Sequence, residues 1–291
     1  MQRPTEPLMT SVHRIEAAGV SYFYRAAGDP GLPVILLLHG FPSSSHQFRA
    51  LMPCLADRYR VIAPDLPGFG FTEVPDGFVF SFDRLAETVG AFCDALGLTR
   101  YVLYLFDYGA PVGFRLAVAR PDAIRAIVSQ NGNAYEAGMS EGWAPTRAYW
   151  ADPSPANRDA MRSMLTLETT RWQYTHGAPD PDRIAPEGYW LDAALLARAG
   201  QDMIQLDLIA DYARNVALYP RIHAYLRDRQ PPLLAIWGAN DPFFLPAGAE
   251  AFRRDVPDAE VHLLDTGHFA LETHAREIAD RMRDFLRRHL G

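Results

Sequence analysis

The 291-residue chain is 48% hydrophobic and 22% charged, the proportions of a folded globular protein, with enough length for one large domain plus an elaboration. Its 28 basic and 35 acidic residues leave a net charge of −7 with no basic stripe, which argues against nucleic acid and anionic lipid as partners. The N-terminal stretch lacks a basic segment followed by an apolar run, and no later stretch approaches the ~20 apolar residues that span a bilayer, so the sequence reads as soluble and cytoplasmic.

In chain order, PVILLL (33–38) is a short apolar run bounded by turn residues, as expected for a strand covered on both faces, and it ends in His39 and Gly40. The same pattern recurs in YRVIAPD ending at Asp65, YVLYLFD ending at Asp107, AIRAIVSQ ending at Gln130, PLLAIWG ending at Gly238 and AEVHLLD ending at Asp265. Between the second and third runs, Ser81 is an N-cap for a helix that carries Phe82, Leu85, Val89, Phe92, Cys93 and Leu96 on one stripe and closes at Gly97. Cys93 on that stripe behaves as a small hydrophobe, so a Cys54–Cys93 disulfide is not expected. Strands alternating with helices predict a mostly parallel central sheet with helices on both faces. Ligands then bind beyond the carboxyl ends of the strands.

Residues 133–230 carry no strand signal. They are rich in Trp, Tyr, Pro and Arg, with helical segments such as ANRDAMRSMLTL and LDAALLARAGQDMIQL. The predicted organisation is a core of residues 1–132 and 231–291 with a helical insertion at 133–230. The insertion reads either as a cap that closes a pocket or as an ordinary helical subdomain.

In YVLYLFDYGAPVGFRLAVA (101–119) a strand runs directly into a helix with Asp107 at the corner. The corner is similar to the strained G-x-S-x-G nucleophile turn, with Gly109 two positions after Asp107 and Leu105 standing where that motif has glycine. Pro111 in the first helical turn costs no hydrogen bond, and Gly113 permits close approach of helix and strand. His39-Gly40-Phe41-Pro42 follows an earlier strand in the position of an oxyanion loop. Asp107, Asp241 and His268 come in the order nucleophile, acid, base.

On these residues, and on DLPGFGFT (65–72), WGANDPFF (237–244) and LLDTGHFALE (263–272), the sequence resembles the α/β-hydrolase family from about Ile15 onward. The resemblance is to the branch of epoxide hydrolases and haloalkane or haloacid dehalogenases, which use an aspartate nucleophile. It implies Asp107 as nucleophile, His268 as base and Asp241 as acid, with backbone N–H groups of Phe41 and Tyr108 as the oxyanion hole and no metal or cofactor. Asp265 also ends a strand and is the rival acid, whereas Gln130 and Asn131, at the alternative acid position, cannot carry the charge. A binding-only protein and an esterase are the competing readings; the esterase would have to pass through an anhydride.

A carboxylate is ionised at neutral pH and suits displacement at a saturated carbon, giving an alkyl-enzyme ester that water then cleaves. The leaving group decides the substrate. Tyr149-Trp150-Ala151-Asp152-Pro153 resembles the segment bearing one proton-donating cap tyrosine of epoxide hydrolases, and Tyr212 in DYARN resembles the second. Tyr108 and Phe41 stand where haloalkane dehalogenases place halide-binding Trp and Asn, although Leu105 is closer to their pattern, and Tyr108, Trp143, Trp150 and Trp172 offer an unconventional halide site. The sequence thus points first to an epoxide hydrolase and second to a dehalogenase, acting on a small molecule as a monomer or homodimer.

Overall fold

The computed structural model describes residues 9–290, so the reading of the extreme N-terminus rests partly on residues outside that range. Eight strands form one sheet: β1 (Ser11–Ala17), β2 (Val20–Ala27), β3 (Val34–Leu38), β4 (Arg60–Pro64), β5 (Tyr101–Phe106), β6 (Ile124–Gln130), β7 (Leu233–Gly238) and β8 (Glu260–Leu264). Their spatial order is β1-β2-β4-β3-β5-β6-β7-β8. β1–β2 and β2–β4 pair antiparallel, and every pair from β4 through β8 is parallel. The six apolar runs of the sequence are the six parallel strands. The hairpin β1–β2 lies at one edge with β1 largely exposed, so it presents no continuous apolar run.

Because strand side chains alternate, the sheet divides the core in two. Leu36, Leu38, Leu103 and Leu105 point to the side covered by α2 (Phe82–Ala95) and α3 (Gly109–Ala119); α1 lies on the other side, at Met52–Leu55. Ile35, Leu37, Val102, Tyr104 and Phe106 point to that second side. The predicted stripe of α2 is buried on the first side, with Leu96 at its end only partly covered; Ser81 accepts the Arg84 N–H at 3.2 Å, and Gly97 at φ 67° ends the helix. Cys54 and Cys93 are both free, and Cys93 is buried in the first core.

Between β6 and β7 lie six helices: α4 (Ala144–Ala151), α5 (Pro155–Ala160), α6 (Leu167–Thr175), α7 (Pro186–Leu196), α8 (Gln201–Asp211) and α9 (Ala213–Arg229). LDAALLARAGQDMIQL is two helices, because Gly200 at φ 79° breaks the chain between α7 and α8. α10 (Pro246–Ala251) and α11 (Leu271–Leu290) complete the core. α11 lays Ile278, Met282, Phe285 and Leu286 on the second side of the sheet. Each such fully buried side chain stabilises the fold by roughly 1.5–3 kcal/mol. None of the described helices is long and apolar enough to cross a membrane.

Candidate active site

The carboxyl edge of the parallel strands gathers the chemistry-bearing side chains. Asp107 follows β5 directly and sits at φ 46°, a left-handed conformation rare for a residue with a Cβ, from which the chain turns into α3. Gly40 faces it so closely that a Cβ there would collide with the Asp107 side chain. Leu105 fits two positions before the corner because Gly113 lies opposite it. A Cβ on Gly113 would strike the Leu105 side chain, so the space that the usual motif provides on the strand is provided here on the helix.

The Asp107 carboxylate is held from one side. Its Oδ1 accepts the Phe41 N–H at 2.6 Å, and the Tyr108 N–H also bonds the carboxylate, while Oδ2 lies 3.8 Å from His268 Nε2. Burial raises the Asp107 pKa to about 6, against the lowering effects of His268 and the two N–H groups. The His39 ring braces the Phe41 loop: its Nε2 accepts the Leu66 N–H at 2.9 Å, and burial keeps the imidazole neutral by lowering its pKa. Gly40 and Pro42 flank Phe41 in the same buried loop.

Asp241 follows β7 and uses its two oxygens differently. Oδ1 accepts the N–H groups of Phe243 (2.7 Å) and Phe244 (3.1 Å), closing its own turn before the cavity. Oδ2 faces His268 Nδ1 at 2.7 Å and accepts the Asn131 amide at 2.6 Å. Burial alone would lower the His268 pKa, but the charge and hydrogen bond of Asp241, with the charge of Asp107, hold it above 6.5. Asp265 is exposed and accepts from the Asn240 amide at 3.0 Å; its recorded partner lies outside the imidazole. Asn131, too neutral to be the acid, instead braces it.

A narrow cavity of about 30 Å³ opens above Asp107, lined by Phe41, Tyr108 and His268 from the core and by Trp143, Gln173 and Tyr212 among others from the inserted helices. Tyr212 is 1% exposed at the junction of α8 and α9. Its ring packs on Tyr108 (5.6 Å between centroids) and Trp143 (4.8 Å), and its phenol lies near that of Tyr219, which accepts from the Asn133 amide at 3.2 Å.

Tyr149 is placed elsewhere. Its hydroxyl accepts from Arg158 at 2.9 Å and its ring packs with Met161, Leu206 and Ile209, so that it stands behind the lining residue Ile209 and does not itself line the cavity. Tyr149 lies one turn after Thr146 on the same buried side of α4, and it is the contact with Arg158, not the helix period, that draws its hydroxyl aside. Trp150 stacks on Tyr212 at 6.0 Å but gives its indole N–H to the Ile209 carbonyl at 2.8 Å. Trp143 gives its own to the Phe243 carbonyl at 3.1 Å, and Trp172 is 42% exposed outside the lining. Gln173 and Thr146 line the cavity without having been singled out in the sequence, where a lone polar residue in a helical stretch carries no signal. Among the described residues, no group of three or more His, Cys, Asp or Glu side chains is arranged to hold a metal ion.

A strand-to-helix corner bearing a carboxylate, an imidazole after the last strand and a helical insertion between β6 and β7 define a hydrolase-fold protein. The alpha/beta hydrolase fold family model matches residues 33–275, and the chain belongs to that family. It is 47% identical over 281 residues to an uncharacterized hydrolase of Saccharomyces cerevisiae, covering 94% of this chain and 97% of the relative. Among solved structures it is similar to the haloalkane dehalogenase DbeA from Bradyrhizobium elkani (TM-score 0.78, 24% identity, 96% and 100% of the two chains). It is also similar to the epoxide hydrolase CorEH (TM-score 0.80, 20% identity, 96% and 99%). At those identities the two structures speak for the fold.

Proposed function

We propose that this hydrolase acts at a saturated carbon through a covalent ester on Asp107, and that its substrate is a small epoxide. The observation that carries this reading is the pairing, in one cavity, of the Asp107 carboxylate with the phenol of Tyr212, while the nearby indole N–H groups of Trp143 and Trp150 are committed to backbone carbonyls. A departing oxygen needs a proton, which a phenol supplies. A departing halide needs several free N–H donors; these two indoles offer none, which leaves only the Gln173 amide among the described lining residues. The cavity lining contains no Lys or Arg to hold a carboxylate, which counts against a haloacid.

With Oδ1 held by the Phe41 N–H, Oδ2 is the oxygen free to attack. The bond from Oδ2 to a ring carbon forms as the ring C–O bond breaks, and the ring oxygen takes the Tyr212 proton. The 3.8 Å between His268 Nε2 and Oδ2 is too long for a direct hydrogen bond and suits a bridging water. That water gives one proton to His268 as it adds to the Asp107 carboxyl carbon, and the Phe41 and Tyr108 N–H groups receive the oxyanion on Oδ1. Such donors contribute about 3 kcal/mol each to the transition state.

On collapse the diol leaves with the His268 proton. The remaining water proton, lost as Asp107 ionises again, returns to Tyr212. Esterification also removes the Asp107 charge that helps raise the His268 pKa, so the imidazole becomes a readier base at the step that needs one.

The test is a single turnover in ¹⁸O-water with excess enzyme, on matched terminal epoxides and 1-bromoalkanes. Unlabelled diol, with the label appearing in Asp107, is the expected result. Label in the first diol would overturn the covalent route, and bromide release outpacing epoxide opening would make the enzyme a dehalogenase.

A further inference from the structure

Gln173 is a polar side chain that nothing in this mechanism uses. It lies on α6, is 2% exposed and lines the same cavity as Asp107 and Tyr212. Its amide Nε2 is fully enclosed and has no hydrogen-bond partner among the described residues. A buried donor without a protein partner is costly, and one facing a cavity calls for a water or a ligand oxygen to satisfy it.

The helix bearing it is well anchored. Thr166 caps the N-terminus by accepting the Thr169 N–H at 3.1 Å, and the next residue, Tyr174, is clamped between two contacts. The Tyr174 ring stacks on Phe269 with centroids 3.9 Å apart, and its hydroxyl donates to Asp192 at 2.5 Å. Gln173 is therefore held against the cavity by its neighbour, which itself packs on the residue following His268.

The chemistry of the cavity narrows what the amide meets. Phe41, Met164, Ile209 and Phe243 supply an apolar wall, Asp107 supplies a negative charge already faced by His268, and among the described residues no Lys or Arg lines the space. A second anion beside Asp107 would be repelled and uncompensated. The partner is consequently a neutral oxygen. It is also not the departing oxygen, because a carboxamide can donate a hydrogen bond but does not surrender a proton as a phenol does. We infer that Gln173 forms a specificity subsite that binds a neutral oxygen substituent, a hydroxyl or ether, on the part of the substrate that does not react.

This inference rests on the epoxide reading, and the experiment separates the two. Glycidyl methyl ether and 1,2-epoxypentane have the same shape and differ by an oxygen in place of a methylene. The ratio of their kcat/KM values within one enzyme preparation is independent of the folded fraction. The wild type is expected to favour the ether by about 10- to 100-fold, and Gln173→Met and Gln173→Leu to bring the ratio to about one while retaining 1,2-epoxypentane turnover. Equal losses on both substrates, or an unchanged ratio, would overturn the subsite. If neither epoxide is hydrolysed, calorimetric binding of 3-methoxy-1,2-propanediol against 1,2-pentanediol still reads the subsite. A preference abolished by Gln173→Met keeps the inference while the reaction assignment fails, and no preference in the wild type removes both.

Discussion

The two walls of the cavity are built on different principles. On the sheet side, each side chain is aimed by its own backbone: Asp107 by a left-handed corner, Asp241 by the turn its Oδ1 closes, His268 by a bond to that same carboxylate. On the helical side, aim is set by how helices pack, so two tyrosines of the same chemistry part company, Tyr212 entering the cavity and Tyr149 turning to Arg158. Reactive groups whose placement must be exact to fractions of an ångström sit on the first wall. The groups that we propose choose the substrate sit on the second, where a small change in packing re-aims them.

Substitutions separate these walls by size of effect. Asp107→Ala should cost about 10⁴-fold or more in hydrolysis, measured as diol release, since the covalent bond has no other donor; retained turnover would move the nucleophile elsewhere. His268→Gln should lower steady-state turnover by about 10²–10⁴-fold while the first half-reaction proceeds, so the peptide bearing Asp107 should gain the mass of the substrate. On the helical wall, Tyr212→Phe should slow ring opening about 10²-fold. Tyr149→Phe should leave kcat within about threefold and instead lower stability by about 1 kcal/mol, read from denaturant unfolding. Equal kinetic losses from both tyrosines would erase the distinction drawn between them.

A separate effect, on stability and not on turnover, concerns the charge on Asp107. Its pKa is raised from 3.8 to about 6 in the fold, so ionising it there opposes folding. The neutral form's advantage is fully present below pH 3.8 and is lost as pH rises through about 6. Asp107→Asn should therefore stabilise the protein by up to about 3 kcal/mol at pH 8, with the gain vanishing near pH 4, seen as converging melting temperatures. Activity should run the opposite way, rising with pH through about 6 as the nucleophile ionises.

What could be read from the sequence follows the same division. β3 to β7 are largely buried on both faces and announce themselves as apolar runs, the edge strand β8 is only partly buried and reads more weakly, and the residues just after these strands name the sheet wall. The β1–β2 hairpin, half-exposed at an edge, alternates too weakly to stand out. In the insertion, Tyr149 and Trp150 are adjacent, and only packing determines which of them faces the cavity side. Gln173 could not be singled out because its importance lies in a missing partner, a property that exists only once the neighbours are in place.

The contact between Leu105 and Gly113 makes the glycine requirement of the corner a property of two positions jointly. Their combined volume, shared between strand and helix, is what the turn can hold. Enlarging Gly113 becomes tolerable only as Leu105 shrinks, so a search that demands glycine at one fixed position will pass over chains that keep the same corner by trading bulk across it.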